Sequence, residues 1–346
     1  MAKFKILNRT IGDGEPPVVI AEIGINHNGS VDNAISIADA AISSGAEIIK
    51  HQTHLIEDEM VNEAKRIIPG NSKKSIYSIM SKCALNENDE KKLMKYVFQK
   101  KRIFISTPFS RKAVDRLVKF KVPAFKIGSG ECNNYPLIKY IAKFKKPIIL
   151  STGMNSIPQI KKSVRILRNC KIKFALLHCT NIYPTPPNLV RLNCINLLKK
   201  TFSDAVVGLS DHTTSIHTSF GAVALGAKII EKHFVDKKSR PGPDINCSMN
   251  PEELTELLKG ISTIDNALIG KVKKPLKEEI STINFAFASV VSIKDIKKGE
   301  RLSNKNIWVK RPGTGDFLAD KYEFLLGKKA KKNIQSGELI RRNHIF

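Results

Sequence analysis

Two histidines, His212 and His233, are the residues whose type and position are best suited to chemistry. Each ends a short apolar run typical of a buried strand, in the sequences AVVGLSDH and AKIIEKHF. A histidine at the end of a buried strand can meet a ligand in a cleft, and neutral imidazole nitrogens on consecutive strands suit a shared divalent metal ion. Two hydrogen-bonded core histidines are the simpler interpretation when the pair is considered alone.

Two lysines lie inside similar apolar runs, where an unpaired ammonium group is costly to bury. An internal salt bridge of Lys50 or Lys126 with Glu22 or Glu131 would explain them structurally. A Schiff-base amine, or a clamp on a phosphate or carboxylate, would explain them functionally. Hydroxyl and amide donors in neighbouring runs favour a clamp on a small, doubly charged anion; these donors are Thr107, Ser129, Ser151, Asn181 and Ser210.

Three carboxylates accompany these groups. Glu22 and Glu131 either balance the charge of the lysines or act as acid, base or positioning group for a water molecule at the metal. Asp244 belongs to the sequence RPGPD, whose prolines and glycine stiffen the chain. That loop either holds the carboxylate over the cleft or forms a plain surface turn, and the residues alone leave both alternatives open.

Eight apolar runs carry these side chains, and their composition predicts the fold. The runs are nearly continuous in apolar residues, as in strands buried on both faces of a parallel sheet, and helical patterns separate them. Eight strand–helix units in about 250 residues predict a (β/α)8 TIM barrel, whose active site lies at the carboxyl ends of the strands. A doubly wound open sheet is the alternative, but no GxGxxG follows the first run. The runs span residues 18–27, 46–53, 102–109, 124–131, 146–153, 174–181, 205–212 and 227–234.

The composition changes after the eighth unit. We predict a barrel domain over residues 1–268, a charged linker over 269–284 and a small β-rich domain over 285–346, whose turn signals are KKGE, PGTGD and QSGE. Trp308, the one tryptophan, is expected in the core of that domain. The connection after the second run, residues 54–101, is long enough to indicate a functional loop.

Charge and cysteine usage narrow the class of function. The 346-residue chain has a formal net charge of +26, but its lysines are spread over helix surfaces and no nucleic-acid-binding motif appears. We therefore expect a solvated surface that attracts anionic substrates, and no nucleic-acid partner. Six cysteines without CxxC spacing suit a reducing compartment. No apolar run approaches the roughly 20 residues that span a bilayer, so we expect a cytoplasmic protein without a membrane partner.

Several motifs together resemble the sialic acid synthases, specifically the bacterial N-acetylneuraminate synthases. They include AEIGINHNGS, KIGSGECNNYPLI, LLHCTNIYPTP, GLSDHT and RPGPDINCSMNPEE, and the similarity covers nearly the whole chain. The tail FASVVSIKDIKKGERLSNKNIWVKRPGTGDF is similar to the antifreeze-like (SAF) domain. Any one of these motifs is weak, whereas their joint occurrence in this order is specific.

The resemblance implies a barrel enzyme that condenses phosphoenolpyruvate with N-acetylmannosamine and water to give N-acetylneuraminate and phosphate. It also implies a divalent metal ion, with Mn²⁺ preferred over Mg²⁺ or Co²⁺, and a domain-swapped homodimer in which the tail of one subunit closes the barrel of the other. The alternative is a synthase of the same mechanism that uses a 2,4-diacetamido sugar to make legionaminate or pseudaminate. Arg311 and the stretches HQTH and NNYPLI favour N-acetylmannosamine.

By motif position, the resemblance implies that His212 and His233 are metal ligands in a catalytic set that also holds Glu22 and Glu131. The phosphoenolpyruvate contacts that it implies are Lys50, Thr107, Lys126, Ser129, Ser151, Asn181 and Ser210. The sugar contacts that it implies are Gln52, Asn71, Tyr183, Asp244 and, from the second subunit, Arg311.

Overall fold

The chain divides into two compact units, Met1–Ile269 and Gly270–Phe346. The structure is a computed structural model that describes residues 2–70, 72–270 and 272–346. Most of the stretch predicted as a linker belongs to the second unit, where a 3-10 turn over Lys277–Glu279 leads into a helix over Ile280–Ala286. None of the helices in the described ranges is long and apolar enough to cross a membrane.

A hairpin of β1 (Lys3–Ile6) and β2 (Arg9–Gly12) begins the first unit, and eight parallel strands then close into a barrel. The TIM-barrel prediction is confirmed, because each of the eight apolar runs contributes one strand. The barrel strands are β3 (Val18–Gly24), β4 (Ile48–Thr53), β5 (Ile103–Pro108), β6 (Phe125–Ile127), β7 (Ile148–Ser151), β8 (Phe174–Cys179), β9 (Val206–Asp211) and β10 (Ile229–His233). The pairing of β10 with β3 completes the barrel and sets His233 opposite Glu22.

Helices surround the barrel and bury its outward-facing side chains. The connection after β4 holds two short helices, α2 and α3, before the first long helix that follows it. The helices of this unit are α1 (Val31–Ser43), α2 (Ile56–Glu59), α3 (Ile76–Cys83), α4 (Glu87–Gln99), α5 (Arg111–Lys119), α6 (Tyr135–Ala142), α7 (Ile157–Asn169), α8 (Asn193–Thr201), α9 (His217–Ala224) and α10 (Pro251–Ala267).

The inward-facing side chains of the barrel form an apolar layer with a polar layer above it. The apolar layer lies towards the amino ends of the strands and includes Ile20, Ile48, Ile105, Ile149, Leu177 and Ile229. Side chains two residues apart on a strand point to the same side. Two residues further along the same strands stand Glu22, Lys50, Thr107, Ser151, Cys179 and Glu231. This second layer forms the floor of a site at the carboxyl ends of the strands.

The second unit has its own small core. Its helices are α11 (Ile280–Ala286) and α12 (Tyr322–Leu325), and its strands β11 (Ser289–Ser292) and β12 (Ile307–Lys310) pair antiparallel. The prediction that Trp308 lies in this core is wrong, since its side chain is 52% exposed. Ile307 is fully buried, and the alternation along β12 therefore turns the tryptophan outwards, where it packs edge-on against Tyr322.

Candidate active site

The polar layer opens into a narrow cavity of about 140 Å³ at the carboxyl ends of the strands. This single cavity is lined by most of the residues that the sequence predicts for the site. They are Glu22, Lys50, Gln52, Thr107, Lys126, Ser129, Ser151, Asn181, Tyr183, Ser210, His212 and His233. A volume of this size is suited to a small ligand with a high density of charge.

A wider cavity of about 780 Å³ adjoins the narrow one and shares part of its lining, namely Gln52, Phe109, Asn181, Tyr183 and His233. Asp244 also lines it, but most of the remaining wall is apolar. The apolar residues are Ile25, Pro69, Ile76, Ile79, Met80, Met154, Ile182 and Pro243. Four of these come from the long connection after β4, so that connection forms one side of the wider cavity.

Two lysines and two glutamates form a buried charge cluster on the floor of the narrow cavity. The ammonium nitrogen of Lys50 lies 2.7 Å from a carboxylate oxygen of Glu22 and 3.5 Å from one of Glu231. The ammonium nitrogen of Lys126 lies 3.4 Å from the same Glu231 oxygen and donates a hydrogen bond of 2.8 Å to Ser151 Oγ. Both lysines are therefore paired, although the partner of Lys126 is Glu231 rather than Glu131.

The charges in this cluster shift one another's pKa values. Burial acts to lower the pKa of Lys50, but the attraction of Glu22 and Glu231 outweighs it and raises the pKa. Burial lowers the pKa of Lys126 in spite of Glu231. Burial also opposes the ionisation of Glu231, yet the two lysines hold its pKa below its usual value. An anion entering the cavity beside Lys126 would favour the ammonium form that burial disfavours.

The two histidines face each other at the mouth of the cluster, with ring centroids 5.5 Å apart. His212 Nδ1 lies 3.0 Å from the carbonyl oxygen of Thr180, so in the neutral ring Nδ1–H donates to that oxygen and Nε2 keeps its lone pair. His233 Nδ1 is buried and has no hydrogen-bond partner in the part of the chain that the structure describes. Burial, followed by repulsion from His212 and nearby lysines, holds the pKa of His233 well below its usual value.

His233, a neutral ring with an unpaired buried nitrogen, fits the role of a metal ligand. His212 fits it too, because the Thr180 carbonyl fixes its Nδ1 and leaves Nε2 for the ion. Within residues 2–70, 72–270 and 272–346, no group of three or more His, Cys, Asp or Glu side chains is arranged to hold a metal ion. An ion bound here would thus take two nitrogens from His212 and His233 and its other ligands from water or substrate, which is the arrangement of an open, catalytic site.

Asp244 and Tyr183 approach the histidine pair from the loops. An Asp244 carboxylate oxygen lies 3.8 Å from His233 Nδ1, and burial raises the pKa of this carboxyl to about 6. The Tyr183 ring packs against His212 with centroids 4.1 Å apart, and the Asn181 amide donates to its hydroxyl at 3.4 Å. Tyr183 lines both cavities and Asp244 lines the wide one, as expected for groups that bind a second substrate.

The three remaining predicted site residues are Glu131, Asn71 and Arg311. Glu131 lies on the 3-10 turn after β6 and lines neither cavity, and its carboxylate accepts a 2.6 Å hydrogen bond from the Asn134 amide. Asn71 lies outside the described residues. Arg311 is exposed on the second unit, with its guanidinium 5.7 Å above the Phe285 ring.

Two residues that line the narrow cavity were missed by the sequence prediction. Glu231 stands two residues before His233 on β10, and this spacing, which places both side chains on the same face, was the available signal. Cys179 ends β8, and its sulfur lies 3.7 Å from His212 Nδ1. A thiol in an apolar strand gives no signal of its own, because free cysteine is commonly a small core residue.

Two family models and several known proteins match this chain. The NeuB family model matches residues 37–274, and the SAF domain model matches residues 287–345. The N,N'-diacetyllegionaminic acid synthase of Campylobacter jejuni is 40% identical over 94% of this chain and 98% of its own length. Human N-acetylneuraminate-9-phosphate synthase is 32% identical over 96% of this chain and 93% of its own length. The crystal structure of N-acetylneuraminic acid synthetase from Leptospira borgpetersenii is similar, with a TM-score of 0.75 and 28% identity. The match covers 81% of this chain and 95% of that one.

Proposed function

This chain belongs to the NeuB family of synthases and carries a SAF domain, and we propose that it joins phosphoenolpyruvate to the aldehyde of an N-acetylated sugar and releases phosphate. N-Acetylmannosamine is the sugar that the sequence predicts, and its product would be N-acetylneuraminate. The observation that carries the proposal is the pair of buried lysines, Lys50 and Lys126, beside the pair of histidines, His212 and His233. The first pair suits an anionic substrate and the second suits a metal-assisted carbonyl reaction.

We assign the narrow cavity to phosphoenolpyruvate. Its volume of about 140 Å³ suits a small, highly charged molecule better than a sugar with several substituents. Ammonium groups neutralise phosphate and carboxylate oxygens, and hydroxyl and amide groups donate hydrogen bonds to them. The donors available to the substrate in this cavity are Lys50, Thr107, Lys126, Ser129, Ser151, Asn181 and Ser210.

We assign the metal site to His212 and His233, with Mn²⁺ as the preferred ion over Mg²⁺ or Co²⁺. An ion held there supplies Lewis-acid polarisation of the sugar carbonyl oxygen. The Thr180 carbonyl holds His212 in the orientation that leaves Nε2 free, and Tyr183 packs against the same ring. Asp244 and Gln52 border the wider cavity. The Asp244 carboxylate can accept hydrogen bonds from hydroxyl or amide groups of the sugar, and the Gln52 amide can donate hydrogen bonds to them.

The proposed reaction forms a C–C bond and a C–O bond to water and breaks the C–O bond to phosphate, and the two protons of the water end on the former aldehyde oxygen and on the phosphate. The methylene carbon of phosphoenolpyruvate attacks the aldehyde carbon, and water adds to the central carbon as positive charge develops there. The resulting tetrahedral intermediate loses phosphate and leaves a keto group whose oxygen comes from water. Lys50 and Lys126 are placed to neutralise the departing phosphate, since leaving-group charge is best stabilised by preorganised cations.

The incoming water needs a base, and Glu22 and Glu131 are the two carboxylates that the sequence predicts for this work. Glu22 already accepts a 2.7 Å hydrogen bond from the Gln52 amide and pairs with Lys50, so its carboxylate is occupied by these two partners. Burial, together with the nearby Glu59 charge, raises the pKa of Glu131. Glu131 lines neither cavity, but it directly follows Gly130, which lines the narrow one, and we propose that its carboxylate turns from Asn134 to orient and deprotonate water at the rim of that cavity.

If Glu131 is the base, its carboxylate form is the active one, and kcat falls as the pH is lowered through its raised pKa. Glu131→Gln should lower kcat by roughly 10²–10⁴-fold and abolish this acid limb, with little change in the KM of either substrate. Steady-state kinetics as a function of pH measure both effects. Glu256→Gln, at an exposed position of α10, is the matched control. Undiminished turnover of the Glu131 variant would refute the assignment.

A second acceptor sugar is favoured by the wall of the wider cavity. A 2,4-diacetamido-2,4,6-trideoxy hexose carries a C6 methyl group where N-acetylmannosamine carries a hydroxymethyl group, and a C4 acetamido group, which ends in a methyl, where it carries a hydroxyl group. The wall offers mainly isoleucine, methionine and proline side chains. Hydroxyl groups facing such a wall lose hydrogen bonds with water, whereas methyl groups gain from burial. The Campylobacter relative named as an N,N'-diacetyllegionaminic acid synthase points the same way, so we rank this sugar above N-acetylmannosamine.

Kinetics with a panel of acceptor sugars test this ranking. We expect kcat/KM for the 2,4-diacetamido-2,4,6-trideoxy sugar to exceed that for N-acetylmannosamine by about tenfold or more, a factor typical of one or two added apolar groups in a pocket. Ile79→Asn, which places a polar group in the wall, should reduce this ratio. A higher kcat/KM for N-acetylmannosamine in the parent chain would establish it as the preferred acceptor.

We also propose the homodimer in which the tail of one copy completes the barrel of the other, with Arg311 as its sugar contact. The His212→Ala chain then lacks a working barrel and the Arg311→Ala chain lacks a working tail, so each should be strongly impaired alone. Unfolding and refolding the two chains together should restore about one quarter of the parent activity, because random pairing makes half of the dimers mixed and one of two sites in each intact. Activity no higher than the sum of the separate chains would contradict the swap.

A further inference from the structure

The sequence HQTH, residues 51–54, contributes more to the site than Gln52. The His54 ring lies at the end of β4, 4% exposed, and lines neither cavity. Its Nε2 lies 3.1 Å from Gln52 Oε1, and its Nδ1 lies 2.9 Å from a carboxylate oxygen of Glu59 on α2. The amide nitrogen of Gln52 in turn lies 2.7 Å from Glu22 Oε1. A continuous hydrogen-bonded chain therefore runs from Glu59 through His54 and Gln52 to Glu22.

The Glu22 carboxylate fixes the direction of the hydrogen bonds on either side of Gln52. Glu22 carries an acceptor-only carboxylate, so Gln52 must present its NH₂ group to Glu22 and its carbonyl oxygen to His54. That carbonyl also only accepts, so the hydrogen between the two groups belongs to His54 Nε2. The hydrogen between His54 Nδ1 and Glu59 can belong to either group. The assignment that pairs Gln52 with both Glu22 and His54 therefore needs a hydrogen on His54 Nε2.

Gln52 is the member of the chain that borders both cavities, and Glu22 is the carboxylate that pairs with Lys50. We propose that His54 is a positioning residue for the synthase reaction: its Nε2–H holds the Gln52 carbonyl, so that the Gln52 amide stays fixed between the sugar and Glu22. The inference rests on the proposed function. Without this donor, the partly buried Gln52 carbonyl would lose its side-chain partner, and the amide would be free to rotate.

A purely structural role for His54 is the competing explanation. Its ring stacks on Phe109 with centroids 4.4 Å apart and an angle of 11° between the planes, and Phe109 lines both cavities. If stacking and filled volume were all that mattered, any polar side chain of similar size would have the same effect. The two explanations separate when the hydrogen bonds at Nε2 and Nδ1 are removed one at a time.

The amide of glutamine can place its NH₂ group near the position of His Nε2, and the amide of asparagine near that of Nδ1. His54→Gln should therefore keep the hydrogen bond to Gln52 and lose the one to Glu59, whereas His54→Asn should do the reverse. Both variants lose the stacked ring, so their difference reports the hydrogen bonds alone. His217→Gln and His217→Asn, at an exposed histidine of α9, are the matched control pair.

We expect His54→Asn to lower kcat/KM for the acceptor sugar by about tenfold more than His54→Gln does, the usual effect of one buried hydrogen bond. KM for phosphoenolpyruvate should change less than twofold in both. Circular dichroism establishes that both variants are folded, and the control pair should match the parent chain. Equal losses in the two His54 variants, or parent-like kinetics in both, would overturn the proposal.

A spectroscopic measurement separates failure of this inference from failure of the proposed function. In protein labelled with ¹⁵N-histidine, His54 should show a hydrogen on Nε2, with its signals assigned by their loss in His54→Gln. A bare Nε2 would overturn the inference whatever reaction the parent chain catalyses. A parent chain that shows the Nε2–H signal but releases no phosphate with any acetamido sugar would overturn the proposed reaction, and with it the role of His54 in that reaction.

Discussion

Four buried charges on the floor of the barrel are the constraint on which the rest of the structure depends. The side chains of Lys50, Lys126, Glu22 and Glu231 are each almost completely buried, with ammonium–carboxylate distances between 2.7 and 3.5 Å. Removing one partner from such a cluster leaves an uncompensated charge and typically costs about 3–5 kcal/mol. Each of the four side chains comes from a different strand, so the cluster exists only while the barrel keeps its register. Folding and the assembly of the site are therefore one event.

The layering of the barrel explains how so polar a site is supported. An apolar layer of branched side chains fills the amino half of the barrel, and the polar layer follows two residues later on the same strands. The wider cavity above is apolar again, because the connection after β4 supplies one side of it. A small, highly charged site thus opens into a larger, mainly apolar one. This division suits the proposed reaction between a compact anion and a bulkier sugar, and His233 lines both cavities.

The barrel and the lining of the narrow cavity could be predicted because both follow from the strand pattern. Polar residues such as Lys50, Thr107 and Ser210 interrupt or end apolar runs, and the ends of parallel strands must meet. Glu131 was harder to place because it lies on a 3-10 turn, where the alternation of a strand no longer holds. Glu231 was overlooked because a single charged residue inside an apolar run does not show which face of the strand it occupies. Its spacing of two residues from His233 is what assigns it to the same face. His54 carries no strand signal, and its proposed role depends on side-chain hydrogen bonds to Gln52 and Glu59 whose geometry the sequence does not reveal.

The most direct test of the account is the fate of ¹⁸O placed in the bridging oxygen of phosphoenolpyruvate. The purified chain would be given this substrate with an acetamido sugar and Mn²⁺, and phosphate and product would be analysed by mass spectrometry, with omission of the sugar and chelation of the metal as controls. The account predicts labelled phosphate, an unlabelled keto acid, and no phosphate when either the sugar or the metal is missing. Phosphate released without sugar, or label retained in the keto acid, would contradict it.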